Sequence, residues 1–215
     1  MTQAFEHSAN QYAHLWLRSE RSFVEALADD DADARLVAIQ RAAGYFRIAR
    51  NLPTAFDIRR GLQRLAPIRD LLQAPSLRLI DAQSLGQVVE SFRHQLGALY
   101  GGKDLLSAAT KFLWLLRGDP IIIFDSQARF ALGTPYANYD AYVDKWREAY
   151  TKFADTIQSA CDSLPRNRDT EPNLHARSER ARIGIDHEWF RHRVFDIHLW
   201  NVGAGKQRLE YGHDA

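Results

Sequence analysis

Helical periodicity constrains this chain more than any other feature of its sequence. Apolar residues recur three and four positions apart along most of the 215 residues, and no segment shows a sustained alternation of apolar and polar residues. The clearest stripe begins near Asn138, where Tyr142, Val143, Trp146 and Tyr150 share one helical face. The pattern predicts an all-α fold, built as a compact multi-helix orthogonal bundle.

Length and composition favour one domain. The chain contains no Gly/Ser-rich or Pro-rich linker, and 46% of its residues are hydrophobic, which is enough for a large core. We expect a single helical domain over residues 1–203 and a mobile C-terminal tail over residues 204–215. Cys161 is the only cysteine, which excludes an internal disulfide and a zinc site of the paired-cysteine type. We expect it to be a core residue.

The sequence indicates neither a membrane segment nor a bound cofactor. No apolar stretch approaches the roughly 20 residues of a membrane-spanning helix, and the N-terminal residues lack a basic-then-apolar signal. We therefore expect a cytoplasmic protein with no membrane contact. No phosphate-binding glycine loop, nucleophile elbow or dinucleotide fingerprint is present. No metal site is predicted either, because His187, His192 and His198 do not share one helical face.

Several residues predict where helices begin and end. The acidic run over residues 29–33 predicts a break and then a helix start, and that helix is expected to continue to about Arg50. Gly101 and Gly102 predict a left-handed stop after the stripe over residues 85–99, so that this helix packs on the next one across a short turn. The last helix is expected to run over residues 186–202.

The net charge of +1 hides a strongly basic segment. Between residues 35 and 69 there are eight arginines, no lysine and only one acidic residue, Asp57. Arginine suits fork-like contacts to phosphate, although a solvated helical face paired with acids from elsewhere has the same composition. The arginines that we predict to bind DNA are Arg47, Arg50, Arg59 and Arg60.

Residues 105–132 form the segment that most clearly carries candidate catalytic residues. They read LLSAATKFLWLLRGDPIIIFDSQARFAL, which predicts a helix, a glycine-containing turn, a short buried extended segment and a second helix beginning at Asp125. A carboxylate fixed there could stabilise the positive charge that develops on a sugar as its glycosidic bond breaks; simple helix capping is the alternative. Lys111 lies one turn beyond Ser107 and shares its face with Trp114. The alternatives are a solvated lysine and a core tryptophan.

This segment resembles the core of the helix-hairpin-helix DNA glycosylase superfamily. Laid without gaps on the adenine-mismatch glycosylases, Gly118 falls on the turn glycine, Asp125 on the catalytic aspartate, and Ser107 where bifunctional members carry a nucleophilic lysine. A group of bacterial proteins with an 8-oxoguanine-glycosylase-like fold is also similar, through the patterns T/S-K-F-L, I-x-D-S and D-x-x-L-W, here at residues 110–113, 123–126 and 196–200. The resemblance implies catalytic roles for Asp125, Lys111 and Ser107, with Lys111 forming an imine with an abasic sugar. Trp114 would stack on the base.

The phosphate-binding hairpin of that superfamily is altered in this chain. The superfamily uses Leu-Pro-Gly-x-Gly, whereas residues 99–103 read LYGGK and lie further toward the N-terminus. Backbone amides at Gly101, Gly102 and Lys103 could still hold a phosphate of duplex DNA; a helix stop is the alternative. The sequence thus suggests a DNA-binding protein that excises a damaged or mismatched base. The competing hypothesis is a non-catalytic helical module that binds nucleic acid or protein, in a bacterial defence setting.

Overall fold

The computed structural model describes residues 2–52, 65–77, 80–136, 138–164 and 183–211. Within these ranges the regular structure is entirely helical and no strand occurs, so the all-α prediction is confirmed. None of the described helices has the length and apolar character needed to cross a membrane.

The helices are numbered in chain order. They are α1 (Thr2–Leu15), α2 (Arg21–Ala28), α3 (Ala32–Tyr45), α4 (Ala66–Leu72), α5 (Leu85–Leu99), α6 (Leu106–Arg117), α7 (Ser126–Leu132), α8 (Tyr139–Ser163) and α9 (Glu188–Tyr211). A π-helical turn at Trp16–Glu20 joins α1 to α2, and 3₁₀ turns occur at Ala49–Asn51 and Pro75–Leu77.

Backbone contacts divide the chain into two compact units. The first contains residues 1–18 and 125–215, and the second contains residues 19–124. Each is described by itself below. The expectation of one domain over residues 1–203 stays a prediction.

The first unit is organised around α8 and α9. Asn138 begins α8 by accepting the backbone N–H of Ala141 at 2.9 Å, as the sequence predicted. The long helix buries one stripe that includes Trp146, Ile157 and Cys161, which confirms Cys161 as a core residue. Both α8 and α9 pack against α1, and α9 also packs along α7.

The predicted end of the last helix, near residue 202, is wrong. Helix α9 continues through two glycines to Tyr211, even though glycine is a weak helix former. Gly203 is buried, and a Cβ atom built on it would overlap the carbonyl oxygen of Gln127 in α7. The glycine therefore allows close approach of two helices, and this packing outweighs its local preference.

In the second unit, α5 and α6 pack against each other across a short turn, as expected for two stripes joined in this way. Phe92 and Leu96 of α5 and Phe112 of α6 are buried. Arg93 supports the connection, because its guanidinium contacts Glu90 at 2.9 Å and Asp104 at 2.8 Å. The sequence therefore predicted this helix pair and its connection correctly.

Helix α3 is shorter than expected. It begins as predicted, with Asp31 accepting the N–H groups of Asp33 at 2.8 Å and Ala34 at 3.3 Å. It ends at Tyr45 rather than near Arg50, because Arg47 adopts a left-handed conformation with φ of 55°. A residue in that conformation cannot continue a right-handed helix.

Candidate functional site

Asp125 is the N-cap of α7. Its backbone is extended and its Oδ1 accepts the N–H of Gln127 at 2.9 Å. The residue as a whole is half-buried. The capping interaction is therefore present, and the catalytic role stays a prediction.

The apolar segment at residues 121–124 is anchored to α6 in the second unit. All four of its side chains are buried, and the backbone N–H of Phe124 donates to Oγ1 of Thr110 at 3.0 Å. Thr110 is itself fully buried, with its hydroxyl also bonded to the Leu106 carbonyl at 3.2 Å. A threonine of the quoted T-K-F-L pattern thus fixes the residue that precedes Asp125.

Lys111 and Ser107 form a hydrogen-bonded pair on α6. The amine Nζ of Lys111 donates to Oγ of Ser107 at 3.0 Å and lies 5.9 Å from the centre of the Phe46 ring. Only 6% of Lys111 is exposed, so the alternative of a solvated lysine is wrong. The helical spacing predicted that these two residues meet, but it did not predict that Lys111 is buried.

Trp114, on the same helix, is a core residue. Its exposed fraction is 2%. A base could stack on the ring only after the side chains that cover it had moved. The stacking role therefore has no support from the position of Trp114.

The predicted phosphate-binding arginines lie at the end of α3. Arg47 and Arg50 are both exposed to solvent, which a contact to a DNA backbone requires. Arg59 and Arg60 lie outside the described residues. Arg41, one turn before the end of α3, is also exposed, so cationic side chains line this part of the surface.

The turn at Gly101, Gly102 and Lys103 ends α5. Both glycines have positive φ, and the Gly102 N–H donates to the Gly97 carbonyl at 2.8 Å. This is the bond of a Schellman helix stop, so one of the three amides proposed for phosphate binding is already used. Asp104 follows at once and accepts the N–H of Leu106 at 3.2 Å. Its negative charge disfavours a phosphate at this turn.

A buried polar network in the first unit was not predicted. The Asp196 carboxylate accepts the indole N–H of Trp146 at 2.7 Å and a guanidinium N–H of Arg193 at 3.1 Å. Burial raises the pKa of Asp196 to about 6, against the opposing effects of Arg193 and Trp146. Periodicity could find Trp146 as a core residue, but not its pairing with a residue 50 positions away. Both carboxylate oxygens have partners within the fold, which is typical of a structural network.

The comparisons with known proteins identify no family. The chain matches no protein-family model, no curated protein and no solved structure. The resemblance to DNA glycosylases therefore rests on the motifs within residues 105–132 and 196–200. Within the described ranges, no group of three or more histidine, cysteine or acidic side chains is placed to hold a metal ion.

Proposed function

We propose that this protein binds DNA and excises a damaged or mismatched base by cleaving its N-glycosidic bond. The observation that carries the proposal is the buried amine of Lys111, which is hydrogen-bonded to the half-buried Ser107. Lysine is among the residues that are least often buried, so a covered amine on a regular helix calls for an explanation. Amine nucleophiles are one class of lysine that proteins keep away from bulk water.

In the proposed reaction, Lys111 acts on the sugar. Its amine adds to C1′ of an abasic deoxyribose in the open aldehyde form, and loss of water leaves an imine. Ser107 holds the amine through the hydrogen bond at 3.0 Å. Since both residues lie on α6, one helical turn apart, the orientation of the amine is set by the helix.

Asp125, in the first unit, is separately proposed to assist cleavage of the N-glycosidic bond. Its carboxylate stabilises the positive charge on the sugar while water supplies the oxygen that replaces the base, and the base leaves with a proton. The cap bond to Gln127 restrains the carboxylate. The residue that carries it is half-buried rather than buried.

The first experiment measures base release from duplexes that carry 8-oxoguanine, uracil, an alkylated base or a mismatch. We expect release of at least one base by the wild type and a loss of about 100-fold or more in rate with Asp125→Asn, in the range of general acid–base effects. Asp31→Asn is the matched control, because the Asp31 carboxylate also caps a helix, where it accepts the N–H groups of Asp33 and Ala34. Both asparagines can still cap their helices, so a difference between the variants reports on chemistry.

The second experiment tests Lys111 by borohydride reduction on abasic duplex. We expect a covalent adduct with the wild type, its loss in Lys111→Met, and its retention in Lys152→Met, since Lys152 is an exposed lysine of α8. Far-UV circular dichroism verifies that each variant is folded. An undiminished adduct in Lys111→Met would remove this lysine from the mechanism.

A non-catalytic nucleic-acid binding module is the second candidate. Two observations favour it: Asp125 already serves as a helix cap, and Trp114 is buried. This candidate predicts salt-dependent duplex binding without release of any base. Replacing Arg47 or Arg50 by glutamine should then weaken binding to all sequences equally and lower the salt slope by about one for each arginine.

A further inference from the structure

The second unit contains a cleft that the proposed DNA chemistry does not use. It has a volume of about 550 Å³ and is bordered by α2, α3, α4 and α6. Aliphatic side chains form part of the wall, among them Leu27, Ile39 and Leu72. Three arginines also line the cleft and make it basic. They are Arg35, Arg69 and Arg117, and they come from three different helices.

Arg69 and Arg117 are held in place by hydrogen bonds to other parts of the fold. Arg117 donates from Nε to the Leu77 carbonyl, and Arg69 donates from Nε and Nη2 to the neighbouring Asp70 at 2.9 and 2.8 Å. Their positions are therefore restrained by bonds outside the aliphatic wall. A positively charged cleft wall exists before any ligand arrives, which lowers the cost of ordering it on binding.

Arg35 has unused hydrogen-bonding capacity. Its Nε is buried and has no hydrogen-bond partner within the part of the chain that the structure describes. Its Nη2 reaches Asp30 only at 3.5 Å, and the Asp30 side chain is fully exposed. An anion that accepts from the Nη2 group of Arg35 could replace this long contact, while the exposed Asp30 turns toward solvent.

We propose that this cleft binds a small organic phosphate monoester with an aliphatic body. Guanidinium groups match phosphate oxygens through paired hydrogen bonds, and three arginines against the carboxylates of Asp30 and Asp70 leave an excess of positive charge that favours an anion. Ala28, Ala74 and Leu116, the apolar lining residues that keep accessible surface, contact the body of the ligand. The volume falls within the range of about 300–1,000 Å³ that is usual for small-molecule sites.

This inference does not depend on DNA binding. The cleft uses Arg35, Arg69 and Arg117, whereas the proposed DNA contacts are made by Arg47 and Arg50. Either set can be changed without the other. Failure of one proposal therefore leaves the other standing.

The experiment is titration calorimetry of the full chain with hexyl phosphate, inorganic phosphate, hexanol and thymidine monophosphate. We expect hexyl phosphate to bind about tenfold or more tightly than inorganic phosphate, because part of the alkyl chain leaves water. Hexanol, which lacks the charge, should bind at least tenfold more weakly than hexyl phosphate. Equal affinities for hexanol and hexyl phosphate would overturn the proposal. Tighter binding of thymidine monophosphate than of hexyl phosphate would contradict the proposal that the ligand has an aliphatic body.

Matched variants assign the binding to the cleft. Arg35→Gln should weaken hexyl phosphate binding about tenfold, whereas Arg41→Gln on the same helix should not, because Arg41 lies over the Phe23 ring at 5.8 Å. Ala74→Phe adds bulk to the lining without changing its charge and should also weaken binding. This second variant keeps the test valid if Arg35→Gln does not fold. Asp30→Asn should tighten binding about twofold or more by removing a competing carboxylate. Unchanged affinity in both Arg35→Gln and Ala74→Phe would place the ligand elsewhere.

Discussion

Helices α3 and α5 end in the same way but with different residues. In α3 the Ile48 N–H donates to the Ala43 carbonyl at 3.0 Å, and in α5 the Gly102 N–H donates to the Gly97 carbonyl at 2.8 Å. In both turns the residue before the donor is left-handed: Arg47 has φ of 55° and Gly101 has φ of 79°. One helix stop thus uses an arginine where the other uses a glycine.

This difference in residue type suggests that the α5 turn is only structural, whereas the α3 turn is a candidate binding site. Glycine adopts the left-handed conformation without strain, whereas a residue with a Cβ pays about 1–2 kcal/mol. Backbone strain of this kind is often retained at functional sites, and Arg47 also presents an exposed charge. The α5 turn is followed by the carboxylate of Asp104. We therefore propose that a phosphate would be contacted at the α3 stop rather than at the α5 stop.

The largest expected effect comes from Gly97→Ala in α5. A Cβ at this position would lie 2.7 Å from the Lys103 carbonyl oxygen, so the returning backbone has to shift. We expect the free energy of unfolding to fall by about 1–3 kcal/mol, measured by urea denaturation. Unchanged stability would mean that the chain after α5 does not fold back over this glycine, and the two helix stops would then be equivalent in packing as well as in hydrogen bonding.

The second prediction concerns Gly101→Ala. Nothing lies within 4 Å of the position of the new Cβ, but the left-handed φ remains unfavourable. We expect a loss of about 1 kcal/mol in the free energy of unfolding. Since the space is open, the effect isolates backbone strain from packing. If Gly101→Ala leaves the free energy of unfolding unchanged, backbone strain at Arg47 is also negligible. The strain would then no longer support a binding role for Arg47.

The third prediction is a gain in stability from Gly44→Ala near the end of α3. This glycine is helical and a Cβ would meet nothing within 4 Å. Alanine should raise the free energy of unfolding by about 0.5–1 kcal/mol, because glycine is the weaker helix former. The same substitution is thus expected to have opposite signs in the two stops, and a loss here would contradict that difference.

The smallest expected change in stability comes from Arg47→Gly. Removing the strain should raise the free energy of unfolding by a few tenths to about 1 kcal/mol, since the added freedom of glycine in the unfolded chain offsets part of the gain. Duplex affinity, measured in parallel by fluorescence anisotropy, should fall. Arg41→Gln is the control for loss of a charge without a change in backbone strain. A variant that gains stability and keeps full affinity would remove the binding role of Arg47.

Local sequence signals predicted those features of the fold that depend on neighbouring residues. The caps at Asp31 and Asn138 and the stop at Gly101 each involve groups within a few positions of one another. The end of α3 was predicted wrongly because the left-handed residue of a helix stop is usually glycine, and here it is an arginine. The continuation of α9 was missed because the partner that holds Gly203 in the helix, Gln127, is far away in sequence.

For the candidate site, the sequence alone determined that Ser107 and Lys111 share one face of a helix and that Asp125 begins another. Helical geometry guarantees both, because it depends only on spacing and local backbone preference. Whether that face lies against water or against other side chains is decided by residues distant in the chain, and here the tertiary structure covers Lys111 and Trp114. Periodicity specifies which way a side chain points, whereas burial depends on what the rest of the chain places in front of it.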